Sequence, residues 1–214
     1  SATYYRLVLP ILLNDYDQCL YLDGDVLVTG DINPLCSIEL TQNEVLAGVS
    51  TVMIQTCRSE IREERKNKLG INDFSDYVDA GVLIMNLKVM REMNLVKTML
   101  EMISNEYPVQ DQDILNIVSY KKTRLLDPKY NAMPCIFKKE RRIRKVFSNT
   151  QIKEAYNSPC IIHYADKRKP WNCIEVKKGF LWRNEYSAMF SSLQISNQRL
   201  KVKERLKELI NRVR

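Results

Sequence analysis

Two aspartates separated by one glycine, Asp23-Gly24-Asp25, stand between two short apolar runs, 19–22 and 26–28. Because side chains two residues apart on an extended backbone point to the same side, both carboxylates are expected to face one site. Close carboxylates repel unless a proton or a cation neutralises them, and Mg²⁺ and Mn²⁺ prefer such oxygen ligands. The pattern therefore predicts a divalent-metal site at the end of a buried strand. A polar turn with Gly24 at its bend is the alternative that the pattern leaves open.

The only histidine, His163, lies at the end of the apolar run 160–164. A cationic loop, Lys167-Arg168-Lys169-Pro170, follows it closely. An imidazole there can supply a nitrogen ligand, which favours Mn²⁺ over Mg²⁺, and Lys169 can supply positive charge to a phosphate. A metal–diphosphate site fits this arrangement, although a single histidine is also common as a purely structural residue.

Two further polar clusters precede apolar segments. Gln110-Asp111-Gln112-Asp113 opens a short amphipathic pattern, and acids are favoured in the first turn of a helix. Helix capping accounts for one acid but leaves two acids and two amides together unexplained. Asp79-Ala80-Gly81 precedes the apolar run 82–87, where small residues would let a ligand approach the backbone.

Short apolar runs alternate with segments whose apolar residues have helical spacing, so the chain is predicted to have an α/β fold with a substantially parallel sheet. The runs typical of buried strands are 19–22, 26–28, 46–49, 82–87 and 160–164. The segments with helical spacing are 3–13, 88–106, 111–120 and 186–214. Two dense charge blocks, 58–68 and 138–145, are expected in exposed helices or loops.

The 214 residues include 45% apolar and 28% charged side chains, a composition typical of globular proteins. Residues 1–120 contain 9 Lys and Arg against 18 Asp and Glu, whereas residues 121–214 contain 24 against 8. The basic half suggests an anionic partner, namely a phosphate group, nucleic acid or a membrane surface, although a solvated surface explains most of these charges equally well. Six cysteines without a C-x-x-C pair argue against a zinc cluster and for free thiols.

The combined motifs resemble glycosyltransferase family 8, the retaining bacterial lipopolysaccharide and glycogenin-like enzymes. The matching segments follow the family's order between residues 2 and 172: ATYYRLVLP, YLDGDVLVTGDINPL, DAGVLIMNLK, QDQDILN, YNAMP and HYADKRKPW. The resemblance implies a GT-A-type nucleotide-sugar transferase fold with a mixed, mostly parallel sheet. It also implies a nucleotide-sugar donor and a divalent cation, usually Mn²⁺, with Mg²⁺ as the alternative.

The resemblance also implies residue roles. Asp23 and Asp25 match the family's metal-binding Asp-x-Asp, and His163 matches its third protein ligand. Asp111 and Gln112 match the pair beside the anomeric carbon, which makes them the candidate catalytic residues. The candidate donor-binding residues are Arg6, Asp23, Gly24, Asp79, Ala80 and Lys169, of which Asp79 and Ala80 match the sugar-pocket pair and Lys169 the lysine that contacts the diphosphate.

Three departures from the family pattern carry expectations of their own. The family commonly has Asn where Asp79 stands, so contacts to the sugar are expected to differ. It commonly has Gly where Asp166 stands, which adds a carboxylate near the diphosphate. The first nucleotide-binding strand and its acidic turn have no counterpart after residue 1. We therefore expect that an N-terminal portion is missing here and that the base pocket is incomplete.

The function expected from the resemblance is metal-dependent, retaining transfer of a hexose from UDP-glucose or UDP-galactose to a glycan or lipopolysaccharide-type acceptor. The residues alone leave two alternatives open. A metal-dependent nucleotidyltransferase also needs paired carboxylates, but no G-x-x-x-x-G-K phosphate loop occurs. A basic membrane- or nucleic-acid-binding module explains the basic half but gives the acidic residues no role.

We expect a catalytic domain over residues 1–185 and a basic amphipathic helical tail over 186–214. The apolar stripe of the tail, which basic residues surround, is formed by Val202, Leu206, Leu209, Ile210 and Val213. Such a helix can dock on anionic membranes, although an apolar stripe equally often packs on a core. Free thiols and the lack of an 18-residue apolar span favour a cytoplasmic location. Through its tail the protein is expected to make peripheral contact with the inner face of the membrane. No nucleic-acid partner is expected.

Overall fold

The computed structural model describes residues 2–192, which form six strands and ten helices. The strands are β1 (Cys19–Leu22), β2 (Val26–Val28), β3 (Leu46–Ser50), β4 (Val78–Met85), β5 (Thr123–Leu125) and β6 (Ile161–His163). The helices are α1 (Leu9–Leu12), α2 (Asn33–Cys36), α3 (Val52–Thr56), α4 (Ser59–Leu69), α5 (Leu87–Glu92), α6 (Leu95–Met102), α7 (Gln110–Val118), α8 (Pro134–Phe137), α9 (Asn149–Asn157) and α10 (Gly179–Ser192). The 3-10 segments are Ala2–Val8, Ile103–Asn105, Pro128–Asn131 and Arg141–Lys145.

Four strands form one sheet in the order β1-β4-β3-β5, and β2 pairs with β6 in a second sheet. The predicted α/β class and mixed sheet are confirmed, but the predicted excess of parallel pairs is wrong for the described strands. Among these pairs β3–β5 is parallel, whereas β1–β4, β3–β4 and β2–β6 are antiparallel.

The burial of β4 explains that error. Leu83 and Met85 pack into one core cluster, whereas Val82 and Ile84 pack into another. A strand that is buried on both faces has a continuous apolar sequence whichever way its neighbours run. The apolar run 82–87 therefore predicts burial correctly but carries no information about strand direction.

Helix α7 is fixed beside β4 by two amide side chains one turn apart. Asn116 accepts a hydrogen bond from the Val78 N–H at 2.7 Å and donates to the Val78 carbonyl at 2.9 Å. Gln112 accepts from the Ala80 N–H at 3.0 Å. The two amides thus satisfy the backbone of β4 as a neighbouring strand would, and they bring the first turn of α7 to the start of that strand.

The chain divides into two compact units, Ser1–Asp166 and Lys167–Arg214. In the second unit, Trp182 lies 5.4 Å from Trp171 and stacks on Tyr186 at 5.0 Å between ring centroids. The boundary expected at residue 185 falls inside α10, and residues 193–214 of the predicted tail 186–214 lie outside the described residues. Between residues 2 and 192, no helix has the length and apolar character needed to cross a membrane. All six cysteines are free thiols, as predicted.

Candidate active site

The two aspartates of the Asp-x-Asp pattern connect the two sheets. Asp23 follows β1, and its N–H donates to the carbonyl of Gly81 in β4 at 2.8 Å. Asp25 directly precedes β2, in which Val26 pairs with His163 of β6. Because β1 and β2 belong to different sheets, the short turn between them carries both carboxylates to the end of β6.

The predicted convergence of Asp23, Asp25 and His163 is found in the structure. His163 Nε2 lies 3.3 Å from Asp25 Oδ1 and 4.0 Å from Asp23 Oδ2. One potential ligand atom from each of the three residues lies within 4.8 Å of the other two. The imidazole is 4% exposed, whereas both carboxylates are partly open to solvent. Two oxygens and one imidazole nitrogen form a donor set that suits Mn²⁺.

The other side of the His163 ring faces further oxygen atoms. Its Nδ1 lies 3.0 Å from Asn131 Oδ1 and 3.2 Å from Asp79 Oδ1. Burial alone lowers the pKa of an imidazole, but the hydrogen bonds and charges of Asp25 and Asp79 outweigh it and raise the pKa of His163 to about 9. Burial opposes ionisation of the Asp79 carboxyl, whereas the hydrogen bond and the charge of His163 favour it. On balance the pKa of that carboxyl is lowered.

Gly81 gives the His163 ring its space. A Cβ at this position would overlap the imidazole, at 2.7 Å from Nδ1 and 2.9 Å from Nε2. The small residues of Asp79-Ala80-Gly81 were expected to let a ligand approach the backbone. The space beside Gly81 is instead filled by the His163 ring of the protein itself.

Arg6 is a buried guanidinium, 6% exposed, that contacts three of the predicted site segments. Its Nη2 lies 2.8 Å from Asp23 Oδ1, and its Nε lies 2.9 Å from Asp111 Oδ2. Its Nη1 also donates to the Ala80 carbonyl at 2.6 Å. The Asp-x-Asp turn, β4 and the start of α7 therefore share one positive charge.

Tyr21 is a site residue that the sequence analysis missed. Its hydroxyl donates to Asp23 Oδ1 at 2.8 Å, and its ring lies 4.5 Å below the Arg6 guanidinium carbon. Burial and the hydrogen bond to Asp23 raise the pKa of this phenol to about 12. Arg6 and Tyr21 both hold Oδ1 of Asp23, whereas Oδ2 faces His163. The available signal was position, because Tyr21 is two residues before Asp23 and shares its strand face.

Asp111 and Gln112 both lie against β4, but their contacts differ. Asp111 pairs with Arg6, and its burial raises the pKa of its carboxyl while Arg6 opposes that rise. Gln112 uses its carbonyl on the Ala80 N–H and its amide nitrogen on the Tyr77 hydroxyl at 3.3 Å. The two candidate catalytic residues are thus brought to the same place as the Asp23–Arg6 pair.

Asp113, the second acid of the same cluster, is buried and bonded to groups that hold the fold together. It is 0% exposed, and its Oδ1 accepts from Arg65 Nη2 at 2.6 Å and from the Tyr77 hydroxyl at 2.5 Å. Its Oδ2 accepts from the N–H of Val109, which precedes α7, at 2.6 Å. The helix-capping interpretation therefore holds for Asp113. Its carboxylate satisfies the N–H of Val109, which lies four residues earlier in the chain.

Three remaining predicted positions are placed as follows. Gly24 lies in the turn between β1 and β2, where a Cβ would have no atom within 4 Å. Asp166, the expected extra carboxylate, pairs with Lys138 at 2.6 Å on the surface. Lys169 belongs to the second compact unit, where its N–H donates to Asn172 Oδ1 at 2.9 Å.

A model of glycosyl transferase family 8 matches residues 1–175 of the chain. The chain belongs to glycosyl transferase family 8. This family 8 chain is 28% identical over 180 residues to general stress protein A of Bacillus subtilis, a match that covers 80% of this chain and 59% of that protein. It is 27% identical over 185 residues to a lipopolysaccharide 1,3-galactosyltransferase of Salmonella typhimurium, covering 80% of this chain and 49% of that enzyme.

Among solved structures, the family 8 chain is similar to the galactosyltransferase LgtC in complex with donor and acceptor sugar analogues. The two are 26% identical with a TM-score of 0.65, and the match covers 83% of this chain and 64% of that one. The predicted GT-A-type fold is therefore confirmed. The family 8 chain spans about half the length of the curated relatives named above.

Proposed function

We propose that this chain carries the catalytic site of a metal-dependent, retaining glycosyltransferase. Its donor would be a nucleotide sugar, UDP-glucose or UDP-galactose, and its acceptor a glycan of lipopolysaccharide type. The observation that carries the proposal is the convergence of Asp23, Asp25 and His163 within 4.8 Å. Family membership and the similarity to a galactosyltransferase and to a lipopolysaccharide galactosyltransferase support the choice of a hexose.

The residues present fit a divalent cation. Three donor atoms within 4.8 Å of one another can be spanned by one ion with bonds of about 2.0–2.4 Å. We propose Asp23, Asp25 and His163 as the ligands and Mn²⁺ as the preferred ion, with Mg²⁺ as the alternative, because an imidazole nitrogen favours Mn²⁺. The chemistry that such an ion supplies when bound is charge neutralisation of the departing nucleotide diphosphate.

The residues of the chain itself have three proposed tasks. Arg6 and Tyr21 hold Oδ1 of Asp23 so that Oδ2 stays turned toward His163. Asp111 places a buried carboxylate beside the same site, where negative charge favours the oxocarbenium character that develops on a sugar during transfer. Lys169 is proposed to contact the donor diphosphate, as the family resemblance implies.

Changing Gln112 to Ala or Asp111 to Asn is expected to lower turnover roughly 100- to 1,000-fold with little change in donor KM. The reason is that both side chains are proposed to act on the reacting sugar and not on the nucleotide. Steady-state kinetics with the full-length protein measures the split between kcat and KM. Asn116→Ala is the matched control, because Asn116 also bonds the β4 backbone from α7. An equal loss of turnover in that control would assign Gln112 a structural role only.

The proposed activity is tested by incubating the full-length protein with a panel of nucleotide sugars and Mn²⁺. Release of a nucleoside diphosphate, dependent on the metal and on one or two donors, is the expected result. A parallel incubation with nucleoside triphosphates tests the alternative, because release of inorganic diphosphate there would indicate a nucleotidyltransferase instead. No release in either incubation is the result expected of a binding module. Membrane contact through the tail 186–214 and a cytoplasmic location remain predictions beside this proposal, as does the absence of a nucleic-acid partner.

A further inference from the structure

Asp79, which the resemblance assigns to the sugar pocket, contacts protein groups beside His163. Its Oδ1 accepts from Asn131 Nδ2 at 2.9 Å and from the Gly81 N–H at 2.9 Å, and lies 3.2 Å from His163 Nδ1. The carboxylate is thus fixed by one side chain and one backbone group and is directed at the imidazole. Through these contacts the Asp79 carboxylate faces the His163 ring.

The acceptors around Nδ1 determine the tautomer of His163. Both oxygens near this nitrogen, Asn131 Oδ1 at 3.0 Å and Asp79 Oδ1 at 3.2 Å, can only accept a hydrogen bond. The Nδ1 proton is therefore held in place, and Nε2, which faces Asp25 and Asp23, is the nitrogen that can lose its proton and bind a metal ion. A metal-ligating histidine typically donates its second N–H to such a carboxylate or carbonyl.

We propose that Asp79 and Asn131 are positioning residues that hold His163 in the tautomer and orientation needed to bind a divalent ion. The backbone of Gly81 against the ring prevents the imidazole from moving toward β4. The inference rests on the proposed function, because it requires the Asp23–Asp25–His163 site to bind a metal. Asp79 would then position the metal-binding His163 instead of lining the sugar pocket.

The test measures Mn²⁺ binding to the full chain by calorimetry, without donor or acceptor. Asp79→Ala and Asn131→Ala are each expected to weaken Mn²⁺ binding about 10- to 100-fold. Asp79→Asn is expected to retain most of the affinity, because its amide oxygen can still accept from Nδ1. Asp73→Ala, which removes an exposed acid of the loop before β4, serves as the control and is expected to bind Mn²⁺ as the wild type does.

Pulsed electron paramagnetic resonance separates positioning from loss of structure. Wild-type protein is expected to show ¹⁴N coupling between Mn²⁺ and an imidazole, and Asp79→Ala is expected to lose or weaken it. Wild-type affinity and unchanged ¹⁴N coupling in both alanine variants would overturn the inference and leave the proposed function standing. Absence of Mn²⁺ binding in the wild type would overturn both. If Asp79→Ala does not fold, Asn131→Ala carries the same comparison.

A second inference rests on a different region, a cleft of about 320 Å³ between α8, the 3-10 segment Arg141–Lys145 and α9. Four cations line it, and Lys139 lies 4.7 Å above the ring of Tyr156. Among residues 2–192, Arg141, Arg144 and Lys153 have no ion pair, and the lining acid Glu140 is paired with Arg142 at 2.6 Å. Like charges gathered around one cavity repel each other unless an anion joins them.

We propose that this cleft binds a phosphate group, carried either by a sugar or by a lipid headgroup. The partly exposed side chains of Ile152 and Tyr156, which also line the cleft, offer apolar surface to the carbon skeleton next to such a phosphate. Four cations around an opening of this size match the charge of one or two phosphates better than they match a neutral glycan. The basic block 138–145, which the proposed catalytic site does not use, thereby acquires a role.

The test compares an Arg144→Gln/Lys153→Gln variant with Lys88→Gln/Lys97→Gln, a control of equal net charge whose lysines are exposed elsewhere. Glucose 6-phosphate binding by calorimetry and phosphatidylglycerol-vesicle co-sedimentation are the two arms, and they identify a sugar or a lipid as the source. The cleft variant is expected to lose at least tenfold in affinity in one arm, while the control stays within twofold of wild type. Equal losses in both variants, or no wild-type binding in either arm, would overturn this inference.

Discussion

Asp25→Asn is expected to lower sugar transfer by roughly 1,000-fold and to remove measurable Mn²⁺ binding. The substitution keeps the shape of the side chain but removes one of two negative charges, at the position 3.3 Å from His163 Nε2. Metal stabilisation of a developing diphosphate is worth several kcal/mol, and about 4 kcal/mol corresponds to a factor of about 1,000 in rate. Release of nucleoside diphosphate from the preferred donor, with titrated Mn²⁺, measures both effects.

The matched control for this prediction is Asp31→Asn, which neutralises an exposed acid in the loop after β2. Among residues 2–192, its carboxylate accepts one hydrogen bond, a local one from the Asn33 N–H at 2.9 Å. Activity and Mn²⁺ binding within about twofold of the wild type are expected for it. If Asp25→Asn retained a tenth of the wild-type rate or more, the carboxylate would not be a metal ligand on which transfer depends.

Asp113→Ala is expected to lower the free energy of unfolding by about 3–5 kcal/mol. Removing this fully buried carboxylate leaves the Arg65 guanidinium without its counter-charge and the Tyr77 hydroxyl without its acceptor. It also frees the Val109 N–H at the start of α7. An uncompensated buried charge costs far more than an exposed pair contributes, so urea unfolding should show a large fall in the transition midpoint.

Glu63→Ala on α4 is the comparison for that experiment. Glu63 pairs with Lys66 at 2.8 Å, but its side chain is mostly exposed, so a loss of no more than about 1 kcal/mol is expected. A similar small loss in Asp113→Ala would mean that water reaches the Arg65–Asp113 pair and that α7 is held mainly by its apolar face.

The metal-site candidates were predictable because each stands at the end of an apolar run. Asp23 and Asp25 follow β1 and precede β2, and His163 ends β6, so local sequence already places them at strand ends. Whether neighbouring strands run parallel or antiparallel was not predictable in the same way. Strand β4 is covered on both faces, so its sequence shows only that it is buried.

The supporting contacts of the site depend on pairings that no local pattern encodes. Arg6 meets Asp111 across more than a hundred residues, because the first helical segment packs against α7. Asn131 meets His163 because the segment Pro128–Asn131 lies beside β6. Arg65 stands in a densely charged helix whose sequence predicts exposure, yet one of its nitrogens reaches a buried carboxylate. Tertiary packing decides each of these cases.

The proposed function depends on one divalent ion bound by Asp23, Asp25 and His163. Its most direct test is a crystal of the full-length protein grown with Mn²⁺ and a nucleoside diphosphate, measured at a wavelength where manganese scatters anomalously. One anomalous peak is expected within about 2.0–2.4 Å of a carboxylate oxygen of each aspartate and of Nε2 of His163. A peak elsewhere in the chain, or none at these residues while the nucleotide is bound, would contradict it.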